Sequence, residues 1–293
     1  MSKNKFILGV HVSISGGVHL AVERARALGC TTFQIFPSNP RGWRQKSHPP
    51  EGIEAFKLGV TRNELEPFFV HMPYLPNLAT PDDELYEKSV AALTEAVETT
   101  ASLGGRYLVT HLGSHRGAGA ETGRERAAAA MRRAVEATPR AGVTILMENA
   151  AGKSNQVGTT FTEITELYKM VGKKSRRRVG LCVDTCHAHA MGYDLAAGGT
   201  GLERILAEVD TFVGVGKIKL LHLNDARGEA GGGLDRHAHV GRGTIGREGF
   251  RRLINHRALR DLPMVLETPQ ESDWDGKNLR TLRRLREKEG AAS

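Results

Sequence analysis

The stretch "GLCVDTCHAHAMGYDL", residues 180 to 195, runs an apolar segment straight into Asp184, His187 and His189, with Cys182 and Cys186 between them. Carboxylate oxygens and imidazole nitrogens are donors for divalent cations, and the same ending recurs along the chain. His71 closes the apolar run in "PFFVHMP", His111 that in "RYLVTHLG", Glu148 that in "GVTILMEN", His222 that in "KIKLLHLND" and Glu267 that in "PMVLETP". His11 in "KFILGVHVS" and Gln34 in "TTFQIFPS" hold similar positions. A single histidine at such a place is ordinarily a hydrogen-bonded rim residue. Six donors at equivalent places mean more. Carboxylates brought together repel one another and are pushed up in pKa, whereas bound divalent cations neutralise them and use the imidazoles too. The reading is a site for zinc or a related ion, the metals that mixed histidine and carboxylate ligation suits.

Two further pieces extend the set. His187 lies three residues past Asp184, where a turning chain aims it back at the same point, and His189 competes for that place. Asp235 and His237, two apart in "LDRHAH", share one side of an extended segment, and His239 shares it with them. Three carboxylates and three imidazoles at the run ends suit a pair of cations sharing a bridging carboxylate, and His187, Asp235 and His237 can hold a third. Cys182 alternates within an apolar run and Cys186 has no thiolate partner pattern, so both are read as structural.

The order of the elements explains how such distant residues could meet. Eight short runs rich in Val, Ile, Leu and Phe alternate with longer amphipathic segments, among them residues 82–104, 124–142, 161–174, 201–210 and 277–290. That alternation predicts a parallel sheet, and eight units over this length predict a closed (β/α)8 TIM barrel, one domain spanning residues 1–293. An open doubly wound sheet is the alternative, but "HVSISGGVHL" lacks the GxGxxG spacing such a sheet would place after its first strand. In a barrel the C-terminal strand ends converge on one mouth. The glycine-rich pieces at 113–123 and 227–246 follow the fourth and seventh strands and belong to that face. The basic run "KKSRRR", 173–178, precedes the sixth strand and falls on the opposite face as solvated surface.

Composition sets the outer limits. With 293 residues, 40% of them hydrophobic, the chain can bury a large core. A formal charge of +8 and a pI near 9.5 favour anionic partners without naming one. No apolar run approaches the roughly 20 residues of a membrane span, and the N-terminus is too short in apolar residues for a signal peptide. Cys30, Cys182 and Cys186 are odd in number and irregular in spacing, which argues against a disulfide framework. A soluble cytoplasmic protein is expected.

At this point "HMPYLPNLATPD", "HLGSH", "LMENAAG", "GLCVDTCHAHAMGYDL", "LLHLNDARGEAGGGLDRHAHVGRGTIG" and "VLETP" carry a resemblance. In this order, and over nearly the whole chain, they resemble the endonuclease IV family of apurinic/apyrimidinic endonucleases. The resemblance implies a (β/α) barrel with a trinuclear zinc site, manganese being able to replace zinc at some positions. It implies one zinc held by His71, His111 and Glu148, with Glu148 bridging to a second held by Asp184, His222 and Glu267. His187, Asp235 and His237 match the ligands of the third. Tyr74 and Asn77 match a DNA-contacting loop, as do Arg41 and Trp43 in "SNPRGWR". Gly42 departs from the larger polar side chain that relatives can place there, Met72 from a small residue, and Leu112 from a common proline. None of these departures removes a ligand.

The activity so implied is DNA repair. Duplex DNA containing an abasic site is cut at the phosphodiester 5′ to the lesion, giving a 3′-hydroxyl and a 5′-deoxyribose phosphate, by a monomer associated with the nucleoid when acting. The implied nucleophile is a metal-bound hydroxide, which cations generate by lowering the pKa of water towards ~7, with Glu148 and Glu267 flanking it as catalytic residues. An abasic sugar rotates out of the duplex more cheaply than a paired nucleotide, and Arg41, Trp43 and Tyr74 are suitable wedges for the space left behind. Two rivals remain. A sugar isomerase or epimerase of the same barrel type would use strand-end Glu, Asp and His around a divalent cation, with no third metal and no duplex-binding loops. A non-enzymatic metal or DNA-binding protein would hold metal without turnover.

Overall fold

Every one of the eight apolar runs forms a strand in the computed structural model, which describes residues 6–39, 42–43, 47–152 and 155–286. The strands are β1 (Leu8–Val10), β2 (Gln34–Ile35), β3 (Phe69–His71), β4 (Tyr107–Thr110), β5 (Thr144–Glu148), β6 (Val179–Asp184) and β7 (Ile218–His222). They are followed by the short β8 (Asp225–Ala226) and β9 (His237–Ala238), which pair antiparallel with each other, and by β10 (Met264–Leu266). Between them run α1 (Leu20–Ala27), α2 (Pro50–Arg62), α3 (Asp83–Ser102), α4 (Ala120–Ala137) and α5 (Phe161–Met170), then α6 (Thr185–Ala190), α7 (Gly201–Phe212), α8 (Gly246–Asn255) and α9 (Trp274–Leu285).

The sheet order is β1-β10-β7-β6-β5-β4-β3-β2, with parallel pairing throughout. A parallel bridge between His11 and Gln34 closes the ring, helped by the Val12 N–H donating to the Gln34 carbonyl at 2.8 Å. This is the (β/α)8 barrel, and the open sheet is excluded. Glycine at position 9 permits the closure, because a Cβ there would fall 1.8 Å from the Thr32 carbonyl oxygen.

Side chains on a strand alternate faces, and that period aims the site. Phe69, Val109, Leu146, Cys182, Leu220 and Val265 form one small buried cluster with a member on each of β3, β4, β5, β6, β7 and β10. Two residues further along each strand direction stand His71, His111, Glu148, Asp184, His222 and Glu267. The same step from Gly9 and Thr32 reaches His11 and Gln34. The mouth is therefore ringed by eight residues, one per barrel strand, floored by an apolar layer that excludes water. Cys182 belongs to that floor, so its role is packing. Strand residues of the opposite parity, such as Leu8, Ile35, Val70, Leu108, Ile145, Leu181 and Leu221, join the larger core shared with the helices.

Helices α3 and α5 start where their capping residues predict: Asp82 accepts from the Leu85 N–H at 2.9 Å and Thr160 from the Glu163 N–H at 3.1 Å. Helices α1, α2, α6 and α8 lie outside the segments that the sequence marks as amphipathic. Helix α1 has eight residues, α2 begins on proline and carries two glycines, and α8 opens "GREG". Such stretches are too short or too rich in glycine to hold a helix alone and are helical because one face packs on the barrel. Among the described residues no helix is long and apolar enough to cross a membrane.

Candidate metal centre

Glu148 lies at the centre of the mouth, fully buried, and its two oxygens face different neighbours. Oε2 is 2.9 Å from His71 Nε2 and 3.5 Å from His111 Nδ1; Oε1 is 3.0 Å from His222 Nδ1 and 3.6 Å from His187 Nδ1. Around it, three groups without cysteine each bring their donor atoms within 4.8 Å of one another: His71 with Glu148 and His222; Glu148 with Asp184, His222 and Glu267; and His187 with Asp235 and His237. The second and third coincide with sets named from the sequence. In the first, His222 stands where the sequence suggests His111. His111 remains beside Glu148, and its Nε2 is buried with no hydrogen-bond partner among the described residues.

The tautomers follow from the outer hydrogen bonds. His71 Nδ1 donates to the Met72 carbonyl at 2.7 Å, His187 Nδ1 to the Asn149 carbonyl at 2.9 Å and His237 Nδ1 to the Glu267 carbonyl at 2.8 Å, while His222 Nε2 donates to Gln34 Oε1 at 2.9 Å. Each ring thus spends one nitrogen outside the cluster and turns the other towards carboxylates. That is how metal-binding histidines are held. Buried carboxylates with converging imidazole nitrogens are a donor set that fits zinc or a similar divalent cation.

Electrostatics agree. Burial alone would push Glu148 up, but the imidazoles of His111, His222 and His71 overcome it and hold the carboxyl well below its ordinary range. Glu267 is lowered in the same way against burial, with His222 the largest opposing influence. Burial would hold His187 down, yet the charges of Asp184, Asp235 and Glu148 carry it up to about 10. His71 and His222 are also raised against burial, whereas His111, where burial dominates, falls to about 4. Glu148 and Glu267 stay anionic, and positive charge is drawn to them.

Local structure positions His187. Asp184 ends β6 and caps α6, accepting from the His187 N–H at 2.8 Å, so the chain turns at once into a six-residue helix. His187 Nε2 then lies 3.4 Å from Asp235 Oδ1. His189, two residues on, points about 200° further round the helix. It accepts from the Leu195 N–H at 3.2 Å and meets Thr244 Oγ1 at 3.2 Å, tying loops together away from the cluster. Asp235 arrives on the loop between β8 and β9, and His237 opens β9. The buried carboxylate of Asp225 organises the segment that follows, accepting from the N–H groups of Gly241, Gly243 and Ile245 at 2.8, 3.0 and 3.1 Å. His239 does not join His237: its ring stacks on Trp274, centroids 4.0 Å apart. Cys186 approaches Asp184 and His237, and burial pushes its thiol up.

Two asparagines that are not among the expected site residues hold the ligands. Asn224 Nδ2 donates to Asp184 Oδ2 at 2.6 Å while its Oδ1 accepts from the Glu267 N–H at 2.8 Å; Asn149 Oδ1 accepts from the Asp184 N–H at 2.7 Å. Their place just beyond the donors in "MEN" and "HLND" was the available signal.

Above the cluster, exposed Tyr74 lies over His111, ring centroids 5.0 Å apart. It stands between cavities of about 610 and 550 Å³, both of which also touch His237. Asn77 shares its loop but faces inward. Its Nδ2 donates to the Ser114 carbonyl at 3.0 Å, and its Oδ1 accepts from the N–H groups of Ser114 and Ala79 at 2.8 and 3.1 Å. A Cβ on Gly113 would fall 2.1 Å from that oxygen, so this latch between two loops needs glycine. Trp43 is half-buried against the main core, with Lys88 Nζ 4.6 Å from its ring centre. Arg41 lies outside the described residues.

Residues 22–288 match a family described as a xylose isomerase-like TIM barrel. A protein of Methanoculleus marisnigri named probable endonuclease 4 is 47% identical over 280 residues, covering 95% of this chain and 98% of that one. The crystal structure of endonuclease IV from Thermus thermophilus superimposes with a TM-score of 0.83 at 39% identity, covering 95% of this chain and 98% of that one. A D-tagatose 3-epimerase-like protein is similar too, with a TM-score of 0.72 over 94% of this chain and 96% of its own, but at 18% identity that likeness speaks to the barrel alone. Sharing nearly half of its sequence with one member and its barrel from end to end with another, the chain belongs to the endonuclease IV family.

Proposed function

We propose that this protein is a zinc-dependent endonuclease that cuts duplex DNA at abasic sites, hydrolysing the phosphodiester on the 5′ side to leave a 3′-hydroxyl and a 5′-deoxyribose phosphate. The observation that carries the proposal is the split of Glu148 between two sets of imidazoles, beside a separate third set, at the mouth of a barrel from this family. His71, His111 and Glu148 would hold one zinc; Glu148, Asp184, His222 and Glu267 a second; and His187, Asp235 and His237 a third. Cations so held supply Lewis acidity, lowering the pKa of water and stabilising charge on phosphate oxygens.

The protein's own groups do the positioning. Glu148 and Glu267 lie in the ring where an attacking water would be oriented, and the asparagines fix the carboxylates against rotation. Tyr74 stands at the divide between the two cavities, where a strand crossing the mouth would pass on both sides of it, and acts as the wedge that fills the lesion. Asn77 and Trp43 serve the same surface indirectly, one by latching the Tyr74 loop and the other by packing on the core. All ligands come from one chain, so a monomer suffices, working in the cytoplasm where the duplex is. The third donor set and the exposed Tyr74 favour this reading over a sugar epimerase.

Two expected results test the parts. His187→Ala should lower bound zinc from three to two per chain while His189→Ala leaves three, as read by elemental analysis; the reverse order would overturn the ligand set. Tyr74→Ala should lower incision about 10- to 100-fold, the worth of one stacking contact of about 1–3 kcal/mol, without changing the salt dependence of binding to intact duplex. Arginine contacts to phosphates should instead change that slope by about 0.9 each. Equal weakening of binding to intact and abasic duplexes would make Tyr74 a general contact. Incision of an abasic duplex beside an intact one tests the function itself.

A further inference from the structure

Among the eight residues that ring the mouth, Gln34 alone offers neither an imidazole nor a carboxylate, yet it is fully buried and reaches across the barrel. Its Oε1 accepts from His222 Nε2 at 2.9 Å; its Nε2 donates to Glu267 Oε1 at 2.6 Å and to His11 Nδ1 at 3.0 Å. Chemistry dictates the orientation of the amide. Turned over, its oxygen would face a carboxylate oxygen 2.6 Å away, acceptor against acceptor. Because Oε1 can only accept, the His222 nitrogen facing it must carry a proton. Nδ1 is then the nitrogen left for the cluster, 3.0 Å from Glu148 Oε1 and 3.2 Å from Glu267 Oε2. His71, His187 and His237 are oriented by main-chain carbonyls, which no substitution removes. His222 is oriented by a side chain.

We propose that Gln34 is a positioning residue for the second cation, holding His222 and Glu267 so that the Nδ1 of one and the carboxylate of the other face the same point. The inference rests on the metal reading above and adds to it the residue that sets the geometry of one site. It also accounts for His11, whose Nδ1 accepts the remaining amide proton, so both N–H groups of a buried amide are used. The barrel seam runs through the main chain of Gln34, and a change of side chain leaves that bridge in place.

Zinc titration of demetallated protein against a competing chelator, with imidazole proton–nitrogen spectra of the zinc-loaded form, tests this. Gln34→Met, similar in volume and without hydrogen-bonding groups, should weaken one of three zincs by about 10- to 100-fold and leave the other two unchanged. The His222 Nε2–H signal should be present in the wild type and lost to solvent exchange in Gln34→Met. Gln34→Glu separates the two duties: its carboxylate still accepts from His222, so the signal persists, while repulsion of Glu267 weakens the same zinc. A Gln34→Met variant with wild-type affinity for every zinc, or a wild-type spectrum with the His222 proton on Nδ1, overturns the inference alone. Wild-type protein that takes up no zinc overturns the metal reading and this inference with it.

Discussion

Replacing Glu148 with glutamine should lower incision of an abasic duplex by about 10³-fold or more while the barrel stays folded. The substitution keeps the volume and removes the charge. Glu148 Oε2 lies against His71 and His111 while Oε1 lies against His222, so one carboxylate is shared by two sets of donors. An amide offers one oxygen and turns an N–H2 group towards the other set, which puts a donor where a cation is to sit. The fold should survive because the floor of Leu146, Cys182 and Leu220 lies one layer below and keeps its packing. Circular dichroism, zinc content and cleavage rate together separate the outcomes. Near-normal turnover with the fold intact would exclude Glu148 from the chemistry.

Exhaustive removal of metal should abolish incision altogether, and stoichiometric zinc should restore it. The ring offers no serine, cysteine or lysine nucleophile with an activating base; it consists of imidazoles, carboxylates and one amide. Stability should fall as well, since each zinc present at about 100 times its dissociation constant contributes about 2.7 kcal/mol to the native state. The metal-free chain should nonetheless stay folded, because neither apolar cluster depends on the ligands. Cleavage at full rate by demetallated protein would overturn the mechanism.

Much of this arrangement is written in a period of two. In "TILME" or "GLCVD" the apolar residue two places before the acid faces the barrel axis, so the acid does too, and the repeat of that pattern over the strands makes the mouth legible before any coordinates. What local pattern cannot convey is reach and direction. Gln34 and His222 are 188 positions apart, and nothing near either announces that an amide on one side of the ring orients an imidazole on the other. Asn77 and Trp43 stand in loops that match DNA-contacting segments, yet the amide is taken up by Ser114 and Ala79 and the indole by the core, because a rim loop must first be anchored. Likewise His237 and His239 share a side of an extended segment in principle. The chain leaves β9 after Ala238, so the second ring turns to Trp274 instead.

The proposed activity of this mouth is the cutting of DNA at abasic sites. It is tested most directly by incubating zinc-loaded protein with an end-labelled duplex containing one abasic site, beside the intact duplex and a ketose sugar. The expected outcome is a single cut on the 5′ side of the lesion, a 3′-hydroxyl that a polymerase can extend and a 5′-deoxyribose phosphate, with no change in the intact duplex or the sugar. An uncut abasic duplex in the presence of protein that holds its zinc, above all with the ketose epimerised, would contradict it.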